Sequence, residues 1–186
     1  MTACAIRAHH ILEQVTGKPY GQVLNEYVFG LAGMANSGVF VGDLGNAEPK
    51  PTDIAVGFRN ASEGFPGDYP LPAFIGGGSY TQAADIIALQ YALDAGKVLT
   101  PMTIEIFRTV TTAEKDYAYG GYIVLKSGNR YSWQSGSNGA TNVVSVHPID
   151  GNYSFVAASN TGHSQDSMFE LASDIEARLF DGRLSD

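Results

Sequence analysis

The chain has 186 residues, 44% of them hydrophobic and 16% charged, which is enough to bury one sizeable core and within the usual size of a single domain. Eleven Lys plus Arg against nineteen Asp plus Glu give a formal net charge of −8, which repels phosphate backbones and anionic lipid and argues against nucleic acid or a membrane surface as partner. The one cysteine, Cys4, excludes an internal disulfide, and with no apolar stretch long enough for a membrane span or an export signal, the chain as written is expected in the cytoplasm.

Residues 2–16 place Ala5, Ala8, Ile11, Leu12 and Val15 at helical spacing, with Gly17 where a left-handed cap ends a helix. Pro19 opens a second helix, whose stripe of Tyr20, Val23, Leu24, Tyr27 and Val28 runs through Leu31 toward Gly33, so the two form a helical hairpin. Between residues 35 and 79 Gly, Pro, Asp and Asn are frequent and periodicity is weak, apart from a strand-like run over 53–58. A loop of that length in a compact domain is functional or supported by other elements. Ser79 or Thr81 caps a third helix to about Leu93. Ala84, Ile87, Ala88 and Tyr91 form one of its faces and Ile86, Leu89 and Leu93 another, and a helix so apolar all round is expected to be buried. Gly96 ends it, and Thr100-Pro101 is a cap followed by a first-turn proline for a short helix through Val110.

The pattern then changes to strands over 119–126, 130–135, 142–147 and 153–159, separated by turns around Ser127-Gly-Asn, Ser137-Asn-Gly and Ile149-Asp-Gly-Asn. A last helix over 165–180 lines up Met168, Leu171, Ala172, Ile175 and Leu179, with Asp166 and Arg178 matching its dipole and Gly182 after it. The expected fold class is therefore α+β: helices followed by an antiparallel β-meander packed under a C-terminal helix. Residues 1–186 are expected to form a single domain, with helices and long loops in 1–115 and the sheet plus the last helix in 116–186.

Read in order, five stretches resemble the serine β-lactamase, penicillin-binding protein and related esterase family. Ile11-Leu-Glu-Gln-Val-Thr-Gly-Lys-Pro-Tyr resembles its helix ending in a Val-Ser/Thr-Gly-x-Pro turn. Phe29-Gly-Leu-Ala-Gly-Met-Ala-Asn-Ser-Gly resembles its Phe-x-Pro-Leu-Gly-Met-x-x-Thr segment, and Asp53-Ile-Ala-Val-Gly-Phe is similar to its Ala-x-Gly-Tyr strand. Gly77-Gly-Ser-Tyr-Thr-Gln-Ala-Ala-Asp-Ile resembles its Gly-Gly-Leu-x-Ser-Thr-Ala-x-Asp-Leu helix start, and Tyr119-Gly-Gly-Tyr followed by Ser135-Gly-Ser-Asn-Gly resembles the strands around its third catalytic motif. The resemblance implies the C-terminal portion of that fold, a truncated β-lactamase/transpeptidase-like architecture.

The family's chemistry places a serine one helical turn before a lysine, so that the amine accepts the hydroxyl proton. No Ser-x-x-Lys pair occurs here: the residues three before Lys18, Lys50, Lys97, Lys115 and Lys126 are Val15, Ala47, Asp94, Thr112 and Ile123. The second motif, Tyr-x-Asn, is expected about a dozen residues before Glu13, where its asparagine falls at Thr2, so it too is expected to be missing. The third motif, Lys/His-Ser/Thr-Gly in the family, corresponds by resemblance to Gln134, Ser135 and Gly136. The resemblance implies that this strand presents backbone groups to a ligand, that the Ser135 hydroxyl meets a carboxylate, and that the Ser137 amide completes an oxyanion hole. Gln134, Ser135, Gly136, Ser137 and Asn138 are thus the candidate ligand-binding residues, with Gln134 carrying no charge where the family has a cation. No residue is assigned a catalytic role.

Other features read more simply. Ser135 has no lysine at helical spacing and is a strand-edge serine. His9-His10 diverge around a helix, while His147 and His163 lack a second ligand at diagnostic spacing, so no metal is expected, and no cofactor. Gly76-Gly-Gly-Ser lacks the lysine of a phosphate loop. Tyr117, Tyr119, Tyr122, Tyr131 and Trp133 alternate along two strands as cross-strand packing does, and also flank the expected groove. The chain is expected to be a non-catalytic member of the family with a remnant groove for a small carboxylate or β-lactam-like ligand. The alternatives are one half of a split serine hydrolase, completed by a chain bearing Ser-x-x-Lys, and a self-associating scaffold. The uncharged, proline-free run over 153–159 is expected to leave an open sheet edge covered by a homodimer partner or by a complementing chain.

Overall fold

Residues 2–39, 54–55, 57–60, 63–64, 79–112, 116–119, 121–126, 128–137, 140–149, 151, 153–162 and 165–180 are described by the structure, a computed structural model. The chain divides into two units: residues 1–56 with 65–98, and residues 57–64 with 99–186.

In the first unit Thr2–Thr16 forms helix α1, ended by Gly17 at φ 66° as its sequence requires. Its expected apolar stripe does not face inward: Ile11 is 61% and Val15 79% exposed. The half-buried side is instead polar, with the His9 ring stacked on Tyr20 at 4.5 Å and the Glu13 carboxylate accepting the Tyr20 N–H at 2.9 Å. Glu13 fastens the turn at Lys18-Pro19 from the preceding helix, and that backbone hydrogen bond holds its carboxyl below the ordinary value.

The second helix begins at Tyr20 but is not one α-helix. Tyr20–Leu24 (α2) leads into a π-helical segment, Asn25–Phe29, and then Gly30–Ala32 (α3), which ends at Gly33 with φ 73°. The π segment adds a residue to the turn and rotates the face that follows. Val23, Phe29 and Ala32 are buried, while Tyr27, expected on the buried stripe, is 49% exposed. Gly30 suits this turn because a Cβ there would come within 2.9 Å of the Asn25 carbonyl oxygen.

Gly38–Val39 (β1) pairs antiparallel with Ser79–Tyr80 (β4), and Ala83–Asp94 forms helix α4. Phe29, Ala32, Met34 and Ala92 make this unit's core, flanked by Leu24, Val28, Val39, Leu89 and Val98. Neither Ser79 nor Thr81 caps α4. Gln82 occupies the N-cap position without a side-chain cap, and the Thr81 hydroxyl bonds Ser37 instead. The helix is also not buried all round: Tyr91 is 42% exposed, whereas the polar Asp85 and Gln90 are buried. Asp85 explains the difference. Its carboxylate accepts the Asn36 N–H and the Ser37 hydroxyl, at 2.8 and 2.7 Å, and the Gln82 side-chain amide at 3.2 Å. A buried carboxylate is tolerated when its oxygens are filled in this way.

In the second unit Phe58–Asn60 (β2) pairs with Glu63–Gly64 (β3). The strand expected over 53–58 therefore starts only at its last residue; Asp53 and Val56 lie outside the described residues. Thr100 caps Pro101–Phe107 (α5) by accepting the Thr103 N–H at 3.3 Å, and α5 stops short of Val110. Val110–Thr112 (β5), Tyr117–Ala118 (β6), Gly121–Lys126 (β7), Asn129–Ser137 (β8), Asn142–Pro148 (β9) and Phe155–Ser159 (β10) form one antiparallel sheet in the order β10-β9-β8-β7-β6-β5. Gln165–Phe180 (α6) covers one face of it. Tyr131, Val144, Val146, Met168 and Ala172 form the core there, while Leu171, expected on the inner stripe, is 48% exposed. The expected α+β class with a meander under the last helix holds.

Burial raises the Asp85 carboxyl, but the hydrogen bonds from Ser37, Gln82 and Asn36 outweigh it and hold the group below its ordinary value of 3.8. A carboxyl depressed in the folded state stabilises fully above its unfolded value, and that contribution is lost as pH falls through the lower folded value. Asp85→Asn should cost about 1–3 kcal/mol at neutral pH, the penalty for a buried network losing an acceptor. Urea unfolding followed by circular dichroism should show this cost shrinking as pH falls from 3.8 toward the lower folded value, where the wild type also loses the charge; a cost unchanged from neutral pH to the acid limit of folding would refute the assignment.

Candidate functional site

Gln134, Ser135, Gly136 and Ser137 lie at the end of β8, and Asn138 lies outside the described residues. On one side, residues 135–137 pair with Val144, Val143 and Asn142 of β9. The other side differs. β7 is in register with β8 only through the Tyr122–Trp133 pair, and its first residue, Gly121, stands opposite Gln134. Ala118 pairs with Gly121, so only two residues link β6 to β7. No part of β7 lies alongside residues 135–137, and all three are exposed.

Two hydrogen bonds fix which way the peptide groups of β8 point. Ile149 N–H donates to the Arg130 carbonyl at 2.9 Å, so Arg130 faces β9, and antiparallel alternation gives Ser132, Gln134 and Gly136 the same direction. Ile123 N–H donates to the Asp116 carbonyl at 2.7 Å, so Tyr122 faces β8 and its partner Trp133 faces β7. Both give one phase. The N–H and C=O groups of Ser135 and Ser137 are directed to the side that β7 has left.

The side chains alternate between the two faces of the sheet. Ser135 stands opposite the core residue Val144 and shares the α6 face with Tyr131 and Trp133, although α6 does not cover it. Gln134 is on the other face, between Gly121 and Ser145. Gly121 has φ 122°, a conformation that favours glycine, and a Cβ there would overlap the Gln134 side-chain amide. Ser145 is buried, and its hydroxyl has no hydrogen-bond partner among the described residues. Gly121, Gln134 and Ser145 thus form one cross-strand row of small or neutral polar groups immediately before residues 135–137.

The sequence profile of the Beta-lactamase family matches residues 3–179. The chain belongs to this family. No curated protein matches the sequence. Among solved structures it is similar to a penicillin-binding protein from Bacillus halodurans, with 22% identity and a TM-score of 0.73 over 90% of this chain and 52% of that one. It is similar also to the octameric penicillin-binding protein homologue from Pyrococcus abyssi, at 21% identity and TM-score 0.69 over 89% of this chain and 40% of that one. A D-amino acid amidase from Ochrobactrum anthropi SV3, complexed with L-phenylalanine amide, aligns at 16% identity and TM-score 0.72 over 96% and 56%. At these identities the likeness is one of fold. The chain spans about half the length of the structures it matches.

In beta-lactamase-family terms, the stretch expected from sequence as the third motif falls at the strand end just described. Motif order proposes Gln134, Ser135 and Gly136, but it does not point to Gly121 and Ser145, because their relation to Gln134 depends on the register of three strands. The doublet Gly120-Gly121 was the available signal for a backbone that only glycine enters readily.

Gly121→Ala should destabilise the protein by about 1–3 kcal/mol through backbone strain. The Gln134 amide can swing away from a new methyl group, so Gln134→Ala in the same chain should recover only part of that cost. Full recovery in the double variant, measured by denaturant unfolding, would show that side-chain overlap and not φ requires the glycine.

Proposed function

We propose that residues 135–137 bind a small carboxylate or β-lactam-like ligand through the peptide groups of Ser135 and Ser137 and the Ser135 hydroxyl, and that these 186 residues alone do not turn it over. The observation that carries this reading is the strand end that outruns β7, with two residues directing N–H and C=O outward. An extended ligand can add to such an edge as a short strand, taking main-chain hydrogen bonds for affinity. Family membership supports it, since the resemblance assigns ligand binding to this strand. Turnover needs an activated nucleophile, and no Ser-x-x-Lys pair occurs in the sequence. In this reading a serine hydrolase activity, whether β-lactamase, DD-peptidase or esterase, needs that pair from residues beyond this sequence or from a second chain.

A specific observation also favours association. Among the described residues β10 has β9 on one side and no strand of the sheet on the other. Continuing the alternation across β9, Val156 and Ala158 direct their peptide groups outward. Phe155-Val-Ala-Ala-Ser has neither charge nor proline to discourage pairing. Antiparallel pairing of two β10 edges about a two-fold axis closes both at once, and a strand from a complementing chain fits the same place.

The purified chain should leave a chromogenic cephalosporin and a p-nitrophenyl ester at the buffer rate, while NMR titration with benzylpenicillin moves the amides of residues 134–137 at roughly millimolar Kd, the strength of one or two hydrogen bonds. Turnover abolished by Ser135→Ala would overturn the non-catalytic reading, and shifts confined to α6 would overturn the site.

Light scattering at micromolar concentration should report a dimer that Val156→Lys weakens. A monomer whose Val156 and Ala158 amides exchange slowly would mean that the edge is already covered.

A further inference from the structure

The turn that joins β8 to β9 is held from outside the hairpin. Phe58 N–H, in β2, donates to the Asn160 carbonyl at 2.7 Å and to the Ala140 carbonyl at 3.2 Å, and Phe58 makes a parallel bridge with Thr161. Asn142, the first residue of β9, stands in a cross-strand row with Ser137 and Ser159. Its side-chain nitrogen donates to the carbonyls of Thr161 at 2.7 Å and Gly162 at 3.2 Å, and two carbonyl neighbours are what identify that atom as the nitrogen. Thr161 N–H in turn donates to the Ser159 hydroxyl at 3.2 Å. Ala140 and Asn142 are buried, and a Cβ on Gly57 would lie 3.0 and 3.2 Å from the side chains of Ala140 and Thr141. Residues 57–58, 140–142 and 160–162, remote in sequence, thus form one packed and hydrogen-bonded cluster at the mouth of the hairpin.

The register shows which part of the strand end this cluster supports. Gln134 and Gly136 direct their peptide groups to β9 and exchange hydrogen bonds with Ser145 and Val143, so the ladder holds Ser135 from both sides. Gly136 with Val143 is the last such pair among the described residues. Ser137 lies one residue further, opposite Asn142, with the ladder on one side of it and the turn on the other. The direction of its N–H therefore follows the turn.

We infer that Asn142, together with the Phe58 amide, is a positioning residue that holds the β8–β9 turn and, through it, aims the Ser137 N–H at a ligand carboxylate. The inference rests on the proposed binding role of residues 135–137 and divides it: the sheet holds Ser135, and the cluster around Asn142 holds Ser137. An asparagine suits the place because one nitrogen serves two carbonyls; without it those buried acceptors lose their donor and the segment over 160–162 shifts to recover one.

Benzylpenicillin is titrated into the 186-residue chain and into two variants, with the amides followed by NMR. Asn142→Ala removes the donors. Gly57→Ala keeps every donor at a backbone angle open to alanine and presses a methyl group against Ala140 and Thr141. Each variant should weaken binding about three- to tenfold, the range of one net hydrogen bond. In each, the ligand-induced shift at the Ser137 amide should shrink while that at Ser135 persists, a split that a general loss of packing does not produce. A folded Asn142→Ala with wild-type affinity and a wild-type Ser137 response would overturn the positioning role alone. Should Asn142→Ala fail to fold, Gly57→Ala decides: an unchanged Ser137 response there, or an equal loss at Ser135 and Ser137, sinks the inference. If benzylpenicillin leaves residues 134–137 of the wild type unmoved, the binding reading falls, and this inference with it.

Discussion

The left-handed backbone at Gly121 is the constraint on which the candidate site depends. It begins β7 one residue before the first pair that β7 shares with β8, just after the chain has left β6. Among the described residues β7 therefore runs no further along β8 than Gln134. The same glycine supplies the space that the Gln134 amide occupies. Strand length, outward peptide groups and placement of the motif's first side chain therefore share one cause, a residue without a Cβ at a φ that other residues enter only with strain.

In the first unit the comparable role belongs to the Asp85 carboxylate. Two of the stretches that resemble the family, around Gly33-Met34 and around Thr81-Gln82, are remote in sequence yet meet at this group. Asp85 sits in the first turn of α4, where the helix dipole favours a negative charge, and it orders the turn after α3 through a backbone N–H and a hydroxyl. Asp85 and Gln90 take buried positions on α4 while Tyr91 is exposed, so the helix is not the uniformly apolar buried cylinder that its alanines, leucines and isoleucines suggest.

Local chemistry made much of the fold legible. α6 coincides with its expected span because its stripe, its Asp166 and its Arg178 agree with one another, and the four main strands fall within a few residues of their alternating runs. Errors arose where tertiary context set the outcome. The π segment at Asn25–Phe29 breaks a periodicity that the letters alone extend, replacing Tyr27 by Phe29 in the core. The α1 stripe was identified, but its direction was not, because Glu13 and His9 make their contacts with Tyr20 and hold the polar side inward. For the candidate site, motif order is what proposes Gln134, Ser135, Gly136 and Ser137. The direction of their peptide groups does not come from motif order, since it follows from register, and register is a property of three strands taken together.

A site made of peptide groups has a different tolerance from one made of side chains. Replacing a lysine or histidine by Gln134 removes long-range attraction for an anion, and the net charge of −8 adds none back. It does not touch the N–H and C=O groups of Ser135 and Ser137, whose direction is imposed by pairing with β9. What remains is short-range and largely indifferent to ligand charge. In the proposed reading, affinity then comes from hydrogen bonds a few kcal/mol strong at most. The peptide groups of this strand end pair in that reading with the amide and carbonyl groups of an extended ligand, while a ligand carboxylate, which only accepts, meets the Ser135 hydroxyl and the Ser137 N–H.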